Sequence, residues 1–260
     1  IEKNLKGVSL SANWMWPAKN KGENARLYEA VKAISDFAVE LGINIPTGKD
    51  SLSMTQKYGN GDVVYSPGTV IVSAMGEVSD IRKVITPLIV DEQNTSLIYV
   101  DLSKDEFKLG GSCFAQVNNK LGKEVPTVKD GKYFKKVFEA IQALIKKGQV
   151  LAGHDISAGG MITTLLEMCF ARNNIGLDID LSKLVEKNLV KILFSENPGV
   201  ILQVKEKDVT EFLAKKKIDF CVIGKLAKKR GLKIKKETTE YKFDIDKLRD
   251  IWFQTSHLLD

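Results

Sequence analysis

The chain has 260 residues, enough to bury a large core as one domain or two. Its composition, 43% hydrophobic and 28% charged, is that of a globular protein, and no apolar run approaches the roughly 18 residues of a membrane span, so a membrane role is excluded. The formal charge of +6 would suit nucleic acid or small anions, but the lysines of residues 205–247 are interrupted by acidic residues and lack aromatic interleaving. That stretch reads as a solvated face and not as a nucleic-acid surface.

The N-terminus lacks the basic and apolar regions of a signal peptide. It opens on Ile1 and not on Met, which reads as a removed leader or a fragment. The three cysteines, Cys113, Cys169 and Cys221, are far apart and set among apolar neighbours, as buried thiols of a reducing, cytoplasmic compartment would be. His154 and His257 are the only histidines and supply no Cys/His zinc cluster.

In chain order, residues 1–22 read as irregular, with Trp14, Trp16 and Pro17 as bulky anchors. The tryptophans either pack on the next helix or on a partner, or stack on a base. Residues 23–41 predict an amphipathic helix carrying Leu27, Val31, Ile34, Ala38 and Leu41 on one face and stopped by Gly42. Residues 42–51 predict a glycine-punctuated turn, residues 69–78 a strand, and residues 87–94 a linker at a domain boundary.

A strand at 96–101 opens the second part, followed by a Gly110-Gly111 turn and a short helix to about Leu121. Residues 133–147 predict a helix with Val137, Ile141, Leu144 and Ile145 inward; a strand at 150–152 then delivers residues 153–160 to a turn before a helix at 161–171. Strands follow at 176–180, 200–204, 220–223 and 232–236, with a helix at 208–217. The last predicted helix, 246–259, carries Leu248, Ile251, Trp252, Thr255 and Leu259 on its apolar face. This mixture predicts an α/β or α+β architecture, with the domain boundary in the 87–94 stretch.

The sharpest chemical signal is Gly153-His-Asp-Ile-Ser-Ala-Gly-Gly160. A carboxylate at a strand end, then a hydroxyl and two glycines that open a helix and let backbone N–H groups approach an anion, is a pattern that holds Mg²⁺ beside phosphate oxygens, with Asp155 as metal ligand and Ser157 as a contact of phosphate or of metal-bound water. The competing reading makes Asp155 and Ser157 caps of the following helix. His154 and Asp155 are adjacent in an extended segment and should face opposite ways, leaving His154 to orient the loop, to act in catalysis, or simply to pack. Lys49, Asp50 and Ser51 form a second candidate. Five residues separate Gly42 from Gly48, so a Walker loop is excluded, and Lys49 reads either as a phosphate contact or as part of a capped turn.

Residues 10–17 (LSANWMWP), 46–54 (PTGKDSLSM), 66–74 (SPGTVIVSA), 154–160 (HDISAGG), 165–171 (LLEMCFA) and 194–204 (FSENPGVILQV) together resemble, in order and spacing, the large multidomain phosphoribosylformylglycinamidine synthases. The resemblance is to the second of that family's two synthetase-like halves. It implies an α+β, aminoimidazole-ribonucleotide-synthetase-like fold of mixed β-sheet and packed helices, with a truncated N-domain of residues 1–90 and a complete C-domain of residues 91–260. The implied reaction takes formylglycinamide ribonucleotide, ATP and glutamine to formylglycinamidine ribonucleotide, ADP, phosphate and glutamate, by phosphorylation of the substrate amide oxygen and its displacement by channelled ammonia.

It further implies Asp155 as a ligand of Mg²⁺ and Ser157 as a contact of ATP or ADP at a second, largely structural nucleotide site. His154, Lys49, Asp50 and Ser51 are cofactor-site residues of unassigned contact. Ala158 stands where family members commonly have aspartate. The partners implied are the N-terminal half and the glutaminase domain of the same polypeptide and a small-molecule nucleotide, with no nucleic acid, no membrane and possible self-association. The isolated chain is expected to be inactive, with no catalytic residue of its own.

Overall fold

The computed structural model describes residues 1–2, 4–171 and 174–257. The chain forms two compact units, Ile1–Ile81 and Arg82–Asp260.

In the first unit, β1 (Val8–Met15) leads through α1 (Glu23–Leu41) to β2 (Asn44–Ser51), which pairs with β1 in parallel. A small hairpin of β3 (Thr55–Lys57) and β4 (Val63–Tyr65) precedes β5 (Thr69–Gly76), which lies antiparallel on the other side of β1. The sheet order is therefore β2-β1-β5. The segment expected to be irregular thus contains the central strand of this sheet. Its signal is a strict alternation of Val8, Leu10, Ala12, Trp14 and Trp16 with Ser9, Ser11, Asn13 and Met15, which is the period of a strand with one buried face.

Ala12, Trp14 and Trp16 are buried together against Leu27, Ala30 and Ile34 of α1, so the tryptophans anchor the helix. Of the apolar face expected for α1, Ala38 and Leu41 are buried and Leu27 and Ile34 half-buried, whereas Val31 is exposed. The expected turn at 42–51 is also a strand over most of its length. Pro46 and Gly48 argue against a strand in general, yet β2 is an edge strand, where a missing N–H costs no ladder bond. Gly48 is required there by close approach: a Cβ on it would lie 2.0 Å from the Ala12 carbonyl oxygen.

The second unit begins with β6 (Ser96–Asp101), α2 (Cys113–Val117), α3 (Gly131–Lys146), β7 (Val150–Asp155), α4 (Gly160–Phe170) and β8 (Gly176–Asp180). It continues with α5 (Leu189–Phe194), β9 (Gly199–Val204), α6 (Glu206–Lys215), β10 (Phe220–Ala227), β11 (Leu232–Lys236), β12 (Thr239–Phe243) and α7 (Ile245–His257). The seven strands form one mixed sheet in the order β12-β11-β8-β10-β6-β9-β7, with β11 and β8 parallel and the other pairs antiparallel. This is the expected α+β architecture.

Each face of the sheet has its own core. Leu97, Tyr99, Ala152 and Ile201 pack with Met161, Leu165 and Met168 of α4. On the other face Ile98, Val100, Val150 and Val204 pack with Val137, Ile141 and Leu144 of α3 and Leu213 of α6. Residues 97–100 are therefore a continuous apolar run, as befits a strand covered on both faces. Each such side chain, fully buried, contributes on the order of 1.5–3 kcal/mol.

Residues 87–94, where a linker was expected, are anchored in this unit: Ile89 is fully buried, and the buried Gln203 side chain donates to Val90 O (2.8 Å) and accepts from Val90 N–H (2.9 Å). α5 and β12 have no counterpart among the expected elements. In α7, Leu248 packs on the core but Ile251 and Trp252 are exposed, with Trp252 against Phe170 (5.8 Å between ring centres). The Thr255 side chain and Leu259 lie outside the described residues.

Candidate functional site

Everything at the 153–160 loop follows from how β7 meets β9 and α4. The pairing of β7 with β9 carries an irregularity between Val150 and Ala152. One extra residue in a strand switches the side-chain faces beyond it, so Val150 points to the α3 core and Ala152 to the α4 core. His154 shares the face of Ala152, and its Nε2 lies 3.0 Å from Glu167 Oε2 on α4.

Nδ1 of the same ring lies 3.1 Å from Asp155 Oδ1. The expectation that His154 and Asp155 face away from each other is thus corrected. Alternation fixes where the Cβ atoms point, but at the last residue of an edge strand the carboxylate is free to fold back to the ring nitrogen nearest the backbone. The Asp155 side chain remains 69% exposed, against 18% for His154 and 28% for Glu167.

Beyond Asp155 the chain turns sharply. Ile156 N–H bonds Gly199 O (2.8 Å), and Gly159 and Gly160 both adopt positive φ, at 86° and 74°. A Cβ on Gly160 would sit 2.6 Å from Leu193 O, so this turn tolerates only glycine. The residue preceding α4 is Gly159, and no side chain caps the helix. Neither Asp155 nor Ser157 therefore performs the capping that would give them a purely structural task.

The sequence pattern suggested that the two glycines present N–H groups to an anion. In the fold those groups are taken: Gly160 N–H bonds Ser157 O (3.0 Å), and Gly159 N–H bonds Glu196 Oε1 (2.9 Å). The same Glu196 oxygen accepts from Cys113 N–H (2.8 Å), stapling the loop to the start of α2. Glu196 was not singled out from sequence, and neither was Glu167, because both act through long-range contacts.

The groups left facing solvent are the Asp155 carboxylate and the Ser157 hydroxyl. Among the described residues no cluster of three or more His, Cys, Asp or Glu side chains could hold a metal. One exposed carboxylate beside a hydroxyl fits an ion whose other ligands are phosphate oxygens and water, which is how Mg²⁺ is commonly held, and does not fit an all-protein cage.

Within the first unit, Lys49 and Ser51 lie on one face of β2, with Lys49 Nζ donating to Ser51 Oγ (2.7 Å), while Asp50 between them points the other way. Lys49 and Asp50 are exposed. The structure brings Lys49 to Ser51, and separately His154 to Asp155.

The cysteines are free, and burial raises the pKa of each thiol, for Cys169 to about 12. The lysine-rich C-terminal strands border a cleft of about 1240 Å³ that holds none of the candidate residues. Acidic groups interleave there, as in Lys233 with Asp178 (3.4 Å) and Arg230 with Asp246 (2.8 Å). Among the described residues no helix is long and apolar enough to cross a membrane.

Comparison with known proteins agrees with the architecture. Residues 1–77 match the FGAR-AT PurM_N-like domain, and residues 97–237, more than half the chain, match the AIR synthase related protein C-terminal domain. A probable phosphoribosylformylglycinamidine synthase, chloroplastic/mitochondrial, of Arabidopsis thaliana is 38% identical over 98% of this chain, which spans 18% of that relative. T. maritima PurL complexed with FGAR superposes with a TM-score of 0.66 at 16% identity, covering 93% of this chain and 39% of that one. T. maritima PurL complexed with ATP gives 0.64 at 14% identity, with 93% and 37% covered. At those identities the solved structures speak to the fold; the domain matches carry the assignment, and by them the chain belongs to the AIR synthase related family, as a partial match to its FGAR-AT (PurL) members.

Proposed function

We propose that this chain is the part of an ATP- and glutamine-dependent ligase that holds a Mg²⁺–nucleotide at Asp155 and Ser157. The ligase would convert formylglycinamide ribonucleotide to formylglycinamidine ribonucleotide in purine biosynthesis, in the cytoplasm. The observation that carries the site is that a strand end and a glycine-only turn present these two polar groups to solvent although neither caps α4. An exposed carboxylate that is not spent on capping the helix suits a metal whose other ligands are phosphate oxygens and water.

In this reading Asp155 would contribute a protein oxygen to Mg²⁺, and Ser157 would donate its hydroxyl to a phosphate oxygen. Bound there, Mg²⁺ would neutralise phosphate charge. His154 orients Asp155, while Lys49, Asp50 and Ser51 belong to the nucleotide-binding surface of the N-terminal domain. The remaining domains of the parent, including its glutaminase, would supply ammonia and the catalytic groups. A chain spanning 18% of its plant relative supports that division of labour, and product formation by the chain alone should stay at background.

Titration calorimetry of the chain with ADP and Mg²⁺ tests the site. The expected result is Mg²⁺-dependent micromolar binding that Asp155→Ala weakens at least tenfold and Ser157→Ala by less. Binding indifferent to Asp155→Ala would overturn the assignment.

A further inference from the structure

One helix holds Asp155 twice. Thr164 Oγ1 donates to the Asp155 carbonyl (3.1 Å), and three residues further along the same face of α4 Glu167 holds the ring of His154, whose other nitrogen meets the Asp155 carboxylate. α4 is itself immobilised, since Met161, Leu165 and Met168 are fully buried in the sheet's core. Among the described residues His154 is the one partner of the Asp155 side chain, so nothing else selects its rotamer. The contact engages Oδ1 and leaves the second oxygen unclaimed.

We infer that Glu167, acting through His154, is a positioning residue that sets the Asp155 carboxylate for the metal–nucleotide, an inference that rests on the reading of Asp155 given above. The physical reason is preorganisation. An exposed aspartate free to rotate must be ordered when the ion arrives, whereas one held by a ring that a buried helix holds in turn is already in place. Partners one step removed from a metal ligand commonly change metal affinity by about 10–100-fold when lost. The sequence hides this chain of contacts, because His154 and Glu167 are thirteen residues apart and meet only once β7 and α4 have packed.

The test compares Glu167→Ala and Glu167→Gln with the parent chain and Asp155→Ala, using two readouts. In calorimetry, Glu167→Ala should weaken Mg²⁺-dependent ADP binding about tenfold while leaving metal-free ADP binding unchanged. Glu167→Gln, which keeps an acceptor for the imidazole N–H, should recover most of it. A loss that a merely structural defect produced would affect ADP with and without metal alike. In crystal structures without ligand, Asp155 should hold one rotamer in the parent and in Glu167→Gln and several in Glu167→Ala.

If Asp155→Ala abolishes binding but Glu167→Ala neither weakens it nor frees the Asp155 rotamer, the positioning role is wrong and the nucleotide site stands. If Asp155→Ala changes nothing, or the parent chain does not bind, the site reading fails, and the rotamers alone decide whether Glu167 positions Asp155.

Discussion

β5 and β6 are apolar strands of similar character, yet β6 buries residues 97–100 completely while β5 leaves Val70, Ile71, Val72 and Met75 exposed. The difference lies in what lies against them. β6 sits inside a seven-stranded sheet with helices on both faces, whereas β5 is the edge of a three-stranded sheet whose core is Ala12 and two tryptophans against one helix. An apolar strand therefore declares that it is a strand and that something can cover it, but not whether this chain supplies the cover. The same contrast applies to the two polar clusters: the Lys49–Ser51 pair lies open on an edge strand, while Asp155 is held by a helix rooted in a core.

The largest effect that would break this comparison is a core truncation. Ile98→Ala should cost about 2–5 kcal/mol, whereas Ile71→Ala, at a position 53% exposed, should cost less than about 1 kcal/mol. Denaturant melts followed by hydrogen exchange, which separates the two units, would check the pair. Equal costs would mean that β5 is covered in solution.

A pair of glycines with similar φ comes next. Gly160→Ala should cost at least about 2 kcal/mol, because it adds a collision with Leu193 O to left-handed strain, while Gly22→Ala, at φ 84° with open space around it, should cost only the strain of about 1 kcal/mol. The same melts read both.

The smallest effect concerns Asp105, whose side chain is 0% exposed. Its burial pushes the pKa up, but hydrogen bonds from Lys108 and Lys129 and from the Glu106 and Thr127 N–H groups outweigh burial and hold it at about 2. A folded-state pKa below the ordinary 3.8 means that the stabilisation is complete above that value and is lost as pH falls towards about 2. Asp105→Asn should be less stable than the parent at pH 7 and should lose the acid-dependent slope between pH 4 and pH 2 in urea melts.

Much of the second unit was legible because its helices and buried strands repeat their apolar residues at clean periods. The helix around Val137, Ile141 and Leu144 and the strands at 96–101 and 200–204 stand where expected. α5 escaped notice because six residues are too few to display a helical period, and its start rests on a single cap, Asn188. β1 is legible in the alternation of Val8, Leu10, Ala12 and Trp14 with Ser9, Ser11 and Asn13, although the bulky tryptophans within it also read as anchors of an irregular segment. β2 was not readable, because Pro46 and Gly48 are permitted in a strand only by its place at the sheet edge and beside Ala12, which no local pattern reveals.

At the site, Asp155, Ser157 and the glycine pair followed from local chemistry: a carboxylate, a hydroxyl and two flexible residues in a row. That the glycines serve the turn while their N–H groups are spent on Ser157 O and Glu196 was decided by packing. By itself the sequence determined that helices and strands are mixed, most elements, and which polar residues were candidates, because period and turn chemistry are local properties. Only the tertiary structure decided which candidates have a structural load, which strands are covered, and that Glu167 reaches Asp155 through His154. Those facts depend on contacts between residues far apart in the chain, which exist only after the sheet has closed against α4.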